Sequence, residues 1–347
     1  MKRCENDDRV NRVQPVGNLN MEQRCSTAAA PISWGSESAE WSKPVRLMLA
    51  ATIGLLWFAA GTPVLAQKTR FSIADSLIAY CDIGGQRLAY RSIGSGPPVM
   101  LLTRFRATME DWDPAFLEAL ASERRVIILD YLGVGRSSGE VPTTIKGKAD
   151  AIMACARALG LSQVDLVGWS MGGPIVTVAA IEHPDRVRRF VAIGSTPPGQ
   201  PLKSDVPTTT EFRRRAVKPQ WDFDDFVFLF FRDNPNGREA ARASFDRLSA
   251  VAPGHVEEVP QTLFSRQGAA IRDYDADPSG YLARFATITQ PALIITGDYD
   301  AAFPTTIGVE YQRRLSDSRL AVLPDAGHAP HGQYPEIVAR YILDFLR

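Results

Sequence analysis

Neither sign of charge prevails in this sequence: 39 lysines and arginines meet 39 aspartates and glutamates among 347 residues. Such a balance supplies no electrostatic footprint for nucleic acid or for an anionic membrane surface as a partner. Cysteine is scarce. Cys4, Cys25, Cys81 and Cys155 form no C-x-x-C pair, and none lies beside a histidine at metal-ligand spacing. That pattern argues against a structural zinc. Cys81 and Cys155 read as buried free thiols, with a disulfide between them as the alternative. No internal repeat at solenoid or propeller period is present. With 45% hydrophobic and 22% charged residues, the composition is ordinary for a globular protein.

Composition shifts most at the amino terminus. Residues 1–45 are polar and irregular, without a periodic apolar face, and read as an extension to the folded chain. The stretch RLMLAATIGLLWFAAGTPVLAQ follows, with Lys43 and Arg46 as its positive flank and Leu47 to Ala60 as an uncharged core. Val64-Leu65-Ala66 places small residues at the spacing a signal peptidase reads. Residues 46–66 are therefore expected to be a signal peptide cleaved after Ala66, which exports the remainder to the periplasm or the medium. The alternative is an uncleaved membrane anchor, since the segment approaches the ~20 apolar residues of a spanning helix. The length of the region ahead of it fits an over-extended start, with initiation at Met21 or Met48.

From about residue 77 short apolar runs alternate with helical spacings. SLIAYCDI and QRLAYRSI read as a hairpin across Gly84-Gly85. Strands are expected at 99–102, 126–130, 164–168, 190–194, 292–297 and 320–324. Helices are expected between them and from Glu336 onward. This alternation implies an α/β fold, a mostly parallel sheet with helices on both faces. Residues 196–286 break the rhythm with a helical, aromatic-rich stretch that includes WDFDDFVFLFF, and read as a cap insertion near the carboxyl edge. Its aromatics are expected to pack the cap onto the body, to line a pocket, or both.

Gly168-Trp169-Ser170-Met171-Gly172 matches G-x-S-x-G between an expected strand and an expected helix. A sharp strand-to-helix turn lifts the Ser170 side chain clear, and the glycines let neighbouring backbone pass close by. The following helix directs its positive end at the hydroxyl. A serine hydroxyl needs a base to become nucleophilic, and the chain offers His183, His255, His328 and His331. His183 suits a helix end and His255 lies in the cap. His328 follows the last strand and is the expected base, with His331 as its rival. For the acid that orients the imidazole, Asp300 is preferred over Asp298, which sits at the strand end where it suits a turn.

The chain from about 77 to 347 resembles the α/β-hydrolase superfamily, on several motifs together. These are the G-W-S-M-G-G elbow, Asp130-x-x-Gly133-x-Gly135-x-Ser137, Gly297-x-x-Asp300-x-x-x-Pro304, and Gly327-His328. The order Ser170, Asp300, His328 is that of the family. The likeness is strongest to single-domain esterases, enol-lactonases and cofactor-free haloperoxidases, and the serine argues against the aspartate-using epoxide hydrolases and haloalkane dehalogenases. It implies a serine hydrolase domain over 67–347 with a Ser170-Asp300-His328 triad, acting on a small, partly apolar acyl substrate without metal or organic cofactor. Membrane association enters only if 46–66 stays attached. The same resemblance allows a peracid-forming activity or a catalytically silent ligand binder. By position, the amides of Phe105 and Met171 would be the oxyanion donors. The chain departs from the family where Thr103-Arg104 replaces His-Gly. Arg104 and Arg106 there either bring positive charge to the pocket and favour an acidic substrate or lie over the surface.

Overall fold

Alternating apolar strands build an eight-stranded sheet in the computed structural model, which describes residues 72–199, 207–251 and 260–347. The amino-terminal extension, the 46–66 segment and His255 lie outside the described residues. The strands are β1 (Ala79–Ile83), β2 (Gln86–Ile93), β3 (Pro98–Leu102), β4 (Arg125–Leu129), β5 (Val164–Trp169), β6 (Val187–Ile193), β7 (Ala292–Gly297) and β8 (Ser318–Leu323). Their order across the sheet is β1-β2-β4-β3-β5-β6-β7-β8. β1 and β2 pair antiparallel, as do β2 and β4, and every later pairing is parallel. β5 and β7 are buried along their whole length, as strands covered on both faces must be.

One face carries α2 (Ile145–Ala158) and α3 (Gly172–Glu182), whose Ile152, Ile175 and Val178 join Leu166 and Phe190 of the sheet in one core. The other face carries α1 (Pro114–Ala121). The carboxyl-terminal helix spans Pro335–Leu346, and its Val338, Ile342 and Leu346 recur at helical spacing and close that second core with Phe116 and Leu120.

The expectation of free thiols fails. Cys81 on β1 and Cys155 on α2 form a disulfide, with Cα atoms 5.4 Å apart and 74 residues between them in sequence. Cys81 points inward from its strand and Cys155 from the sheet-facing side of its helix, so packing β1 on α2 brings the sulfurs together.

Among the described residues five α-helices lie between β6 and β7: α4 (Pro207–Ala216), α5 (Phe223–Phe230), α6 (Pro235–Val251), α7 (Gln261–Ala276) and α8 (Tyr281–Arg284). α9 (Thr305–Arg313) follows β7, α10 (Pro330–Gln333) follows β8, and α11 is the terminal helix. The cap is fastened over the carboxyl ends of the strands. The Ala329 N–H donates to Phe230 O at 2.8 Å, and Arg247 and Ser244 of α6 hold the Asp113 carboxylate that caps α1. Val227, Leu229 and Phe230 of α5 pack into the second core, while Trp221 and Phe226 face a cavity, so the aromatic run does both expected jobs.

His331 belongs to this packing rather than to a site. The short α10, which strand–helix alternation does not predict, turns its ring into the core. There it lies 4.4 Å from the Trp169 ring, 5.1 Å from Trp112 and 5.2 Å from Phe116, centroid to centroid. Burial first, then the neighbouring His328 and Arg104, depresses its pKa from 6.5 to about 3. The native imidazole is thus neutral where the unfolded one binds a proton, so its contribution is complete above pH 6.5 and is lost as pH falls towards 3. Replacing His331 by leucine should flatten the pH dependence of unfolding free energy across that window by on the order of a few kcal/mol. Urea titrations at stepped pH measure this, and an unchanged slope in the variant contradicts the assignment.

Candidate active site

Strand order reverses around β3, which has β4 on one side and β5 on the other. Such a switch point opens a crevice at the carboxyl ends. Ser170 follows β5 there and the 103–106 loop follows β3. Ser170 has φ 55°, left-handed backbone that costs a residue with a side chain on the order of 1–2 kcal/mol. Three hydrogen bonds hold it. Its N–H donates to Ile193 O at 2.9 Å, and its carbonyl accepts from the Gly173 N–H and the Ser195 hydroxyl, each at 2.9 Å. The flanking glycines are steric necessities: a Cβ at Gly168 would lie 2.2 Å from Gly172 O, and one at Gly172 would lie 2.0 Å from Leu102 O. The Ser170 side chain is half-buried, and its hydroxyl has no hydrogen-bond partner among the described residues. The amino terminus of α3 starts beside it.

His328 follows β8 and Asp300 follows β7, and the structure joins them. Nδ1–H of His328 donates to the Asp300 carboxylate, 2.9 Å from Oδ2 and 3.1 Å from Oδ1, and both residues are buried. Asp300 Oδ1 also accepts from the N–H groups of Ala302 at 2.8 Å and Phe303 at 2.9 Å, which fixes the carboxylate plane. Asp298 is exposed and accepts from the Ala326 N–H at 3.1 Å, so it shapes the turn. His183 Nε2 lies 2.8 Å from Asp150 Oδ1 at the end of α3, in the helix-end role its context suggests.

Two contacts tie the His328–Asp300 pair to the Ser170 corner. The Trp169 indole N–H donates to His328 O at 3.0 Å. Gly194, next to the Ile193 carbonyl that holds Ser170, abuts both partners: a Cβ there would sit 3.0 Å from His328 Nδ1 and 3.1 Å from Asp300 Oδ2. Sequence reasoning missed Trp169, although its position inside the G-x-S-x-G motif was a signal. Phe212 from the cap lies 5.3 Å from the His328 ring, with Phe303 at 5.7 Å and Phe230 at 6.4 Å, so the imidazole stands in apolar surroundings.

The arginines of the 103–106 loop do not lie over the surface: both line the cavity beneath the cap, and both guanidinium groups bond to groups of the protein. Arg104 is buried, pairs with Asp111, donates to Phe105 O at 2.9 Å and stacks on Phe230 and Trp221. Burial lowers its pKa, with Asp111 opposing. Arg106 donates to the carbonyls of Ala216, Lys218 and Pro219 in the cap. The left-handed residue is Arg106, at φ 62°, not Arg104. Among the described residues the amides of Phe105 and Met171 donate no hydrogen bond within the protein. Asp130 ties the segment beyond the loop to the chain after β4. Its carboxylate accepts from the Met109 and Arg136 N–H groups, and burial pushes its pKa up to about 6 despite them.

A cavity of about 660 Å³ lies between cap and body, with Arg104, Arg106, Trp221, Phe226, Phe245 and Leu263 in its walls. Ser170, His328 and Asp300 are not among its lining residues, so it does not contain the serine corner. No cluster of three or more histidine, cysteine or acidic side chains suited to a metal occurs among the described residues.

Residues 97–334 match the family model for the alpha/beta hydrolase fold. The chain is 27% identical over 270 residues to a pimeloyl-[acyl-carrier protein] methyl ester esterase of Edwardsiella ictaluri, covering 74% of this chain and 96% of that one. It is 29% identical over 247 residues to the biotin biosynthesis bifunctional protein BioHC of Teredinibacter turnerae, covering 67% of this chain but only 41% of that longer protein. Among solved structures, an alpha/beta hydrolase fold protein from Chitinophaga pinensis superposes with a TM-score of 0.71 at 27% identity, over 79% of this chain and 98% of the other. Esterases and other hydrolases among the relatives support a hydrolase activity. The eight-stranded sheet, the strand-to-helix serine and the match over 97–334 together place this chain in the α/β-hydrolase family.

Proposed function

We propose that this protein is a serine hydrolase that cleaves an ester, lactone or related acyl bond. The observation that carries the reading is the left-handed Ser170 at the end of β5, laced by Trp169 to a buried, hydrogen-bonded His328–Asp300 pair. Nε2 of His328 takes the hydroxyl proton as Ser170 Oγ bonds to the acyl carbon. The Phe105 and Met171 amides, uncommitted within the protein, receive the oxyanion. The tetrahedral intermediate collapses when His328 hands the proton to the departing alcohol. Water then repeats the sequence, releasing the acid and restoring Ser170. Asp300 holds the imidazole with Nδ1 protonated and balances its charge. The unpartnered Ser170 hydroxyl fits this scheme, because a nucleophile–base bond is commonly loose in a free enzyme and tightens with substrate.

The phenylalanines around His328 and the aromatic cavity walls favour an apolar acyl or alcohol part. In the cavity wall the Arg104 charge is paired with Asp111, whereas Arg106 bonds only to neutral cap carbonyls. Export is the compartment we propose, with residues 46–66 as its signal. The disulfide between Cys81 and Cys155 supports it, because disulfides persist outside the reducing cytosol. No helix among the described residues is long and apolar enough to cross a membrane.

Three experiments test these readings. Replacing Ser170 by alanine should abolish hydrolysis of short nitrophenyl esters and labelling by a fluorophosphonate. Asp300→Asn should lower kcat by on the order of 10³- to 10⁴-fold, as losing the orienting carboxylate does elsewhere, whereas Asp298→Asn should leave kcat nearly unchanged. Labelling that persists in Ser170→Ala, or equal losses in both aspartate variants, contradicts the roles. For export, the protein recovered from the extracytoplasmic fraction should begin at Gln67 by amino-terminal sequencing, and a cytoplasmic product retaining residues 46–66 would overturn the proposal.

A further inference from the structure

The peptide unit that carries the candidate Phe105 N–H lies between two others that are pinned. Ahead of it, the Thr103 carbonyl accepts from the buried Tyr131 hydroxyl at 2.7 Å. Behind it, the Phe105–Arg106 unit is held at both ends: the Phe105 carbonyl accepts from Arg104 Nη1 at 2.9 Å, and the Arg106 N–H donates to Gln267 Oε1 at 2.8 Å. Gln267 sits on α7 and is fully buried, so this second tether belongs to the cap.

The Arg106 side chain makes the cap tether much stronger. Nη1 donates to Ala216 O at 2.5 Å and Lys218 O at 2.7 Å, and Nη2 to Pro219 O at 3.0 Å. The guanidinium lies 4.8 Å from the Trp221 ring and 5.8 Å from the Phe264 ring, and Phe264 also packs edge-on against Phe105 at 5.2 Å. Three carbonyl oxygens thus take bonds from both terminal nitrogens of one guanidinium, as in a recess built for arginine. This grip and the Gln267 bond together hold a non-glycine residue at φ 62°, a conformation its own side chain disfavours.

We infer that Arg106 is a positioning residue for the reaction: by gripping the 216–219 carbonyls and Gln267 it aims the Phe105 amide at the reacting centre, so the cap sets turnover through the oxyanion loop. This rests on the serine hydrolase reading, and it explains how the loop is shaped without the family's His-Gly. A latch of this kind acts on the transition state, where the oxyanion forms, and hardly at all on the ground state.

The test uses the full mature chain, after fluorophosphonate labelling of wild-type Ser170 has established the nucleophile. Arg106→Gly removes the grip while glycine accepts the left-handed backbone freely. It should lower kcat for a nitrophenyl ester about 10- to 100-fold, approaching the loss of one oxyanion donor, while KM moves less than about threefold. The inhibition constant of a trifluoromethyl ketone, whose serine adduct carries the oxyanion, should rise in step with the fall in kcat/KM. Arg106→Lys, which keeps charge and reach but lacks the fork, should recover part of the loss. Gln267→Leu leaves the side-chain grip intact and should lower kcat in the same sense, and it decides the matter if Arg106→Gly does not fold by circular dichroism. Turnover within about twofold of wild type in the folded variants, or a loss confined to KM, overturns the inference while leaving the serine reading intact. An unlabelled wild-type Ser170 would sink both.

Discussion

Ser170 sits in a backbone conformation that its own side chain disfavours, and much of the carboxyl edge is arranged around keeping it there. The turn works only because β5, α3 and the end of β3 approach within a distance that excludes any Cβ at Gly168 or Gly172. That closeness packs the first turn of α3 directly against the end of β3, so the serine corner and the loop after β3 are neighbours. The Ile193 and Ser195 contacts then transmit the position of β6 to the serine. β6 in turn neighbours β7, which delivers Asp300.

Aromatic packing supplies the remaining precision. Trp169 touches both histidines: its N–H holds the His328 carbonyl, and its ring lies against the His331 ring. One side chain inside the elbow thereby separates two imidazoles three residues apart into a hydrogen-bonded ring beside a carboxylate and a neutral ring in the core. Charge is handled with the same economy. Arg104 is matched by Asp111 under a stack of rings, and Arg106 is matched by backbone carbonyls. Positive charge therefore reaches the loop after β3 with most of its donors turned to groups of the protein.

Much of this was legible in the chain because the signals are local. Buried strands read as short apolar runs, and G-W-S-M-G between a strand and a helix announces its own turn. His328 and Asp300 could be placed because each follows a strand whose carboxyl end must face the crevice. What escaped were pairings set by packing between distant elements. Cys81 and Cys155 are 74 residues apart, on a strand and a helix whose docking no spacing encodes. Arg106 gives no warning of a left-handed backbone, since glycine or asparagine is the usual sign and here tertiary bonds to the cap supply the compensation. Its partners lie about 110 to 160 positions later, in a region whose helices were readable but whose contacts were not.

The proposed activity requires convergence: the Ser170 hydroxyl at the acyl carbon, two backbone amides at its oxygen, and the His328–Asp300 pair at the proton in transit. A crystal structure of the fluorophosphonate adduct tests that most directly. Phosphorus should be bonded to Ser170 Oγ, with one phosphoryl oxygen about 2.7–3.1 Å from the amide nitrogens of both Phe105 and Met171, and the His328 ring should still be paired with Asp300. A phosphoryl oxygen turned away from both amides, or a covalent bond to any other residue, would contradict it.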